Sequence, residues 1–115
     1  MFARMFTIEG RREQLDEFSR LGENKVLPAL QRLHGFEGSL VLANRQNGHI
    51  LIVPFWQSEE TMRRAEDASH WFRGFVAEAA GGEVTNVERY EVVHPETEGN
   101  AASSRAWDLR VPAGK

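Results

Sequence analysis

The chain contains no cysteine. Disulfides, thiolate metal sites, iron–sulfur clusters and cysteine nucleophiles are therefore excluded. It also lacks a positive surplus: 14 lysines and arginines stand against 17 aspartates and glutamates, a formal net charge of −3. That balance argues against nucleic acid as the main partner, because phosphate binding wants a basic surface. No apolar run approaches the roughly 18 to 20 residues that span a bilayer, so no membrane association is expected. The start, Met1-Phe2-Ala3-Arg4, has no basic region followed by an apolar stretch. No secretory leader is visible, and a cytoplasmic location is the simplest expectation. No internal repeat is present.

What is there is the composition of an ordinary globular domain, 41% hydrophobic and 27% charged. With 115 residues the chain holds one domain with a modest core. Residues 2–9, "FARMFTIE", read as a strand with Phe2, Arg4, Phe6 and Ile8 on one face and Gly10 as its stop. Residues 11–34 read as a long helix, because Leu15, Phe18, Gly22, Val26, Leu30 and Leu33 follow steps of three or four. Pro28 removes one N–H from that helix and predicts a kink or restart near Glu23–Leu27. Residues 39–56 read as a hairpin around Asn47-Gly48, the preferred pair for a type I′ turn. Pro54 predicts that the second strand is bulged or sits at an edge near its end. Ser58 caps a helix over about 58–81, with a break near Ala68-Ser69, and Gly81-Gly82 ends it. Residues 83–93 read as the last strand.

The order β-α-β-β-α-β predicts an α+β fold, a ferredoxin-like four-stranded antiparallel sheet with two helices on one face. The domain runs over residues 1–94. Residues 95–115 are rich in small and polar residues and read as a C-terminal tail. Trp107, Leu109 and Val111 alternate within it, so the tail is expected to dock on its own or a partner subunit. Leu40–Ala43 and Ile50–Phe55 are apolar nearly throughout, which predicts burial on both sheet faces. A second copy is the economical cover, so a homodimer packed sheet to sheet is expected.

Four stretches in this order resemble the antibiotic biosynthesis monooxygenase (ABM) domains of the dimeric α/β-barrel superfamily. They are "VLPALQRLHGFEGS", "FWQSEE", "SHWFRGF" and "VERYEV". The resemblance spans residues 2–93. It implies a dimeric α/β barrel with a pocket between each subunit's sheet and helices. It also implies either oxidation of phenolic or polyketide-type molecules by molecular oxygen without metal or flavin, or heme binding and degradation. Others in the group have no established activity, so a non-catalytic dimer that binds a small ligand is an alternative. Heme degradation is the less favoured alternative. Relatives that degrade heme carry an asparagine on the first strand, where residues 2–9 have none, and a histidine well after the tryptophan, whereas His70 directly precedes Trp71.

Oxygenation without a cofactor needs a dry apolar pocket, a proton acceptor and a donor for the developing anion. The substrate, a small aromatic or polyketide-like molecule, supplies the electrons. His70 is the candidate base, since imidazole titrates near neutral pH. Glu66, one turn earlier, is placed to orient it. Arg73 is the candidate anion stabiliser. Trp56, Trp71 and Phe72 are candidate pocket walls, although the helical spacing of Phe72, Phe75 and Val76 reads equally as core. Arg4, Asn44, Asn86 and Arg89 are candidate donors on strands, although each reads more readily as a surface or intersubunit contact. No two histidines have the spacing of a metal pair, so no metal is expected, and the resemblance implies that no cofactor is needed.

Overall fold

The computed structural model describes residues 1–68 and 70–93. Strand β1 covers Phe2–Glu9, β2 Phe36–Ala43, β3 His49–Trp56 and β4 Glu83–Glu91. They form one antiparallel sheet in the order β2-β3-β1-β4. Between β1 and β2 lie a 3₁₀ turn, Arg12–Gln14, then α1, Leu15–Leu21, a π-helical segment, Gly22–Val26, and α2, Leu27–Gln31. Helices α3, Glu59–Ala68, and α4, Phe72–Ala80, join β3 to β4. This is the ferredoxin-like α+β arrangement. The expected tail, its Trp107 docking and the 95–115 boundary lie outside the described residues.

The expected interruption before Pro28 takes a definite form. The Leu27 N–H bonds to the Gly22 carbonyl, five residues back, and α2 restarts with Pro28 in its first turn. Proline suits that position because its missing N–H has no partner to lose there. The break before α4 falls where expected, with His70 and Trp71 in the connecting turn. Ser58 and Thr61 cap α3 reciprocally: the Thr61 N–H donates to Ser58 Oγ, and the Ser58 N–H to Thr61 Oγ1, both at 3.1 Å. Gly81 closes α4 in the left-handed conformation.

Two local expectations are corrected. The β2–β3 connection is a five-residue loop, 44–48, not a two-residue turn. Asn44 Oδ1 accepts from the Gln46 N–H and Asn47 Oδ1 from the His49 N–H, so local side-chain bonds shape a longer loop. Of the two alternatives for Pro54, the edge is overturned, since β3 is central. The proline is accommodated by irregular pairing. Its β2 partner, Ser39, adjoins the register shift between Phe36 and Gly38, and the β1 ladder keeps one register but skips from Ala3–Phe55 to Phe6–Ile52, past Pro54.

The helices pack on one sheet face. Phe6 and Ile8 from β1 and Ile50, Ile52 and Trp56 from β3 are buried there against Phe18, Leu30, Met62, Phe72 and Val76. The other face carries Ala3 and Met5 from β1, Leu40 and Leu42 from β2, Leu51, Val53 and Phe55 from β3, and Tyr90 from β4, as the register requires. Among the described residues no helix lies on it.

Gly35 joins the two halves. Its φ is +86°, its carbonyl accepts the Gln57 N–H at 2.8 Å, and an added Cβ would lie 2.5 Å from Thr61 Cβ. Gly35→Ala combines a strained backbone with overpacking at the α3 cap. It should lower unfolding free energy by about 2–4 kcal/mol in urea denaturation.

Candidate functional site

A cavity of about 460 Å³ opens between the helices of the first half and the β2–β3 side of the sheet. Val41, Ala43 and Ile52 form its floor, with Phe36 at one end. Leu15, Phe18, Val26, Leu27 and Leu30 form its walls, so most of the apolar stripe that marks the first helix lines open space. The reason is local. The inward β2 residues Ser39, Val41 and Ala43 are small, while their β3 neighbours are large. Above them the helix widens to its π segment at Gly22, where an added Cβ would meet nothing within 4 Å. π segments recur at functional sites for this reason. Polar groups sit around the lining: Ser19, Glu23, Gln31, Ser39 and Arg45. Arg45 also pairs with Asp16 at 3.3 Å, tying the β2–β3 loop to α1.

The residues nominated from sequence lie elsewhere. His70 and Trp71 occupy the α3–α4 turn; Trp71 is 47% exposed, and its ring meets Phe72 and Phe75 at 6.0 Å each. Phe72 is buried, edge-on to Phe6 at 5.2 Å. Trp56 is 2% exposed and packs edge-on to Phe36 at 5.3 Å, which places it beside the end of the cavity but not in its lining. Its Nε1–H is buried without a hydrogen-bond partner. Asn44 is exposed, and its side-chain oxygen serves the loop. Arg73 is exposed on α4. The cavity's own polar groups, Glu23 and Arg45 among them, escaped sequence reasoning. Glu23 lies one turn from the lining residues Ser19 and Leu27, and only the strand pairing beneath shows that this side of the helix borders a cavity.

Glu66 does not serve His70. It receives Arg89 Nε at 2.7 Å and Nη2 at 2.9 Å, and Arg4 Nε lies 3.4 Å from its Oε2. Arg4 is held over the Phe6 ring, 4.7 Å from the centroid. The Arg89 hydrogen bonds hold the Glu66 carboxyl below its ordinary range; burial opposes this and the Arg4 charge adds to it. For Arg4, burial is the main cause of a lowered pKa. Glu66 opposes it, and the charges of Arg89 and Arg73 add to it. Among the described residues no group of three His, Asp or Glu side chains is arranged to hold a metal.

No family model matches the chain. It is 31% identical over 118 residues to the uncharacterised protein Rv2557 of Mycobacterium tuberculosis, covering 98% of the chain and 51% of that protein. The uncharacterised protein Rv2558 of the same organism is 30% identical over 116 residues, covering 96% and 48%. The chain thus spans about half the length of the curated relatives it matches. Among solved structures, a monooxygenase from the Streptomyces coelicolor gene ActVA-Orf6, in complex with nanaomycin D, aligns with a TM-score of 0.59 at 16% identity, covering 76% of this chain and 81% of that one. The heme-degrader MhuD of Mycobacterium tuberculosis, with two hemes in its active site, aligns with a TM-score of 0.56 at 19% identity, covering 81% and 96%. A conserved protein from Methanosarcina mazei aligns with a TM-score of 0.61 at 14% identity, covering 78% and 90%. The chain therefore has the fold of the antibiotic biosynthesis monooxygenase-type proteins. No helix among the described residues is long and apolar enough to cross a membrane.

The lowered Glu66 pKa carries a pH signature. Its contribution to stability is fully present above the unfolded value, about pH 4.3, and is lost as the pH falls through the lowered folded value. Urea midpoints measured downward from neutral pH should therefore drop more steeply in the wild type than in Glu66→Gln.

Proposed function

We propose that this protein binds a small aromatic or polyketide-like molecule in the cavity between α1–α2 and β2–β3. The carrying observation is the cavity itself. Its 460 Å³ falls within the roughly 300–1,000 Å³ of small-molecule sites, and its lining is apolar with a few polar groups around it. The fold neighbours solved with nanaomycin D and with heme support a ligand role for this architecture.

Oxygenation without metal or flavin is the second reading, favoured by the apolar floor and walls, against which an aromatic ring would pack. A phenolic substrate and O₂ would give a quinone and water. One oxygen atom enters the ring, the other leaves as water, and the substrate supplies all four electrons and both hydrogens. The protein then has only to accept the phenolic proton and steady the anion. Within the lining Glu23 is the candidate acceptor and Arg45 the candidate cation. His70 and Arg73 serve only a ligand that extends to the α3–α4 turn. We further propose a homodimer across the apolar sheet face of Leu40, Leu42, Leu51, Val53 and Phe55, because burying those side chains against a second copy removes them from water.

Gly22→Leu tests the binding reading. The new side chain enters the cavity from a helical position that is open and unstrained. Thermal stability should hold or rise, while affinity for a dihydroxynaphthalene probe should fall at least about tenfold. Unchanged affinity would place the ligand elsewhere. Oxygen uptake with the same compound separates the catalytic assignments. Loss in Glu23→Gln but not in His70→Ala supports a base in the lining, and the reverse pattern supports the turn. Light scattering at micromolar protein should give about twice the 13.1 kDa chain mass, and a monomer would sink the dimer.

A further inference from the structure

A second feature of the molecule has no place in the cavity. Arg4 and Arg89 stand directly opposite each other on the adjacent antiparallel strands β1 and β4. Like charges at such positions repel, so the pairing is unfavourable unless something compensates it. Glu66 from α3 compensates part of it. Arg89 uses both carboxylate oxygens, and Arg4 Nε, although 3.4 Å from one of them, is buried without a hydrogen bond. Arg4 is only 17% exposed, so its unpaired donor lies where water cannot readily serve it.

The surroundings add positive charge. Arg73 on α4 is close enough to oppose the Arg4 charge, and no carboxylate pairs with it among the described residues. Arg63 and Glu59 also face the cluster, but they are bonded to each other at 2.9 Å. Arg4 and Arg89 thus share one carboxylate, Glu66, with Glu91 further along the same β4 face opposite Phe2, in a chain whose net charge is −3. The second buried donor without a partner, Trp56 Nε1, belongs to the same sheet face: Phe2, two residues from Arg4 on β1, pairs with Trp56.

We infer that Arg4 and Arg89, which meet at Glu66, form with the charge of nearby Arg73 an oxyanion-binding site for the carboxylate or phosphate group of a small molecule, separate from the α1–α2 cavity. Planar guanidiniums suit both groups, since their forked N–H donors match paired oxygens. Glu66 acts as an internal anion. It holds Arg89 in place and partly occupies the charge that an incoming anion would take up. The inference is independent of the cavity ligand.

The test follows the arginine Nε–H resonances of ¹⁵N-labelled protein during separate titrations with sodium acetate and inorganic phosphate, at ionic strength held constant with sodium chloride. Saturable shifts at Arg4 and Arg89, with little change at the exposed control Arg64, are expected. Arg73→Gln should weaken the binding by at least about threefold. Glu66→Gln should tighten it, because the competing carboxylate is gone; a merely structural Glu66 would not produce that gain. Gly22→Leu should leave it unchanged, which separates this site from the cavity. A response to acetate alone marks a carboxylate site, and to phosphate alone a phosphate site; either supports the inference. No saturable shift with either anion, equal shifts at all arginines, or an Arg73→Gln protein that binds as the wild type does would overturn it. If Glu66→Gln fails to fold, the Arg73→Gln result decides alone, since that side chain is exposed.

Discussion

The proposed function depends on a shortage of side-chain volume above one edge of the sheet. Protein interiors pack densely, so a void of several hundred Å³ requires a reason. Here β2 turns Ser39, Val41 and Ala43 toward the helices, beside Pro54, Ile52 and Ile50 of β3. A regular α-helix passing over β2 would bring one side chain per turn down to fill the gap. Instead the helix loosens through Gly22–Val26, with a glycine at the start of the loosened turn, and restarts at Leu27. Small floor and widened roof together leave the space. On the other half of the sheet Phe6 and Phe72 fill the equivalent volume, edge to face at 5.2 Å.

The strand and helix order was legible because each element carries a local signal. Period-two apolarity marks β1, the three- and four-step stripe marks the first helix, and Gly81-Gly82 ends α4. Pro28 announced the interruption for a steric reason that needs no tertiary context. The misjudged details involve competition between local and long-range effects. Asn47-Gly48 satisfies a two-residue turn, but the Asn44 and Asn47 side chains bond the backbone and shape a longer loop. Pro54 signals an edge or a bulge; the strand is central, and the ladder to β2 shifts register near its end.

The site was less legible than the fold. The Leu15–Phe18–Val26–Leu30 stripe is the same in sequence whether it packs on a floor of isoleucines or hangs over Val41 and Ala43. Only strand pairing decides that, and pairing is long-range. The same holds for Glu66. Helical spacing puts it one turn from His70, but the β1–β4 register brings two arginines beneath it, and a bidentate guanidinium outcompetes an exposed imidazole. The neighbours with this fold include one solved with nanaomycin D and one with heme, so the architecture tolerates very different occupants, and the argument for function has to rest on this chain's own lining.

The central claim is that the α1–α2 cavity receives a small aromatic ring. Intermolecular nuclear Overhauser effects between a dihydroxynaphthalene and methyl-labelled protein test it most directly. The account predicts contacts from the ring protons to the methyl groups of Val26, Leu30, Val41 and Ala43. Contacts confined to methyl groups on the opposite sheet face, such as those of Leu40 and Val53, or to no methyl group at all under saturating probe, would contradict it.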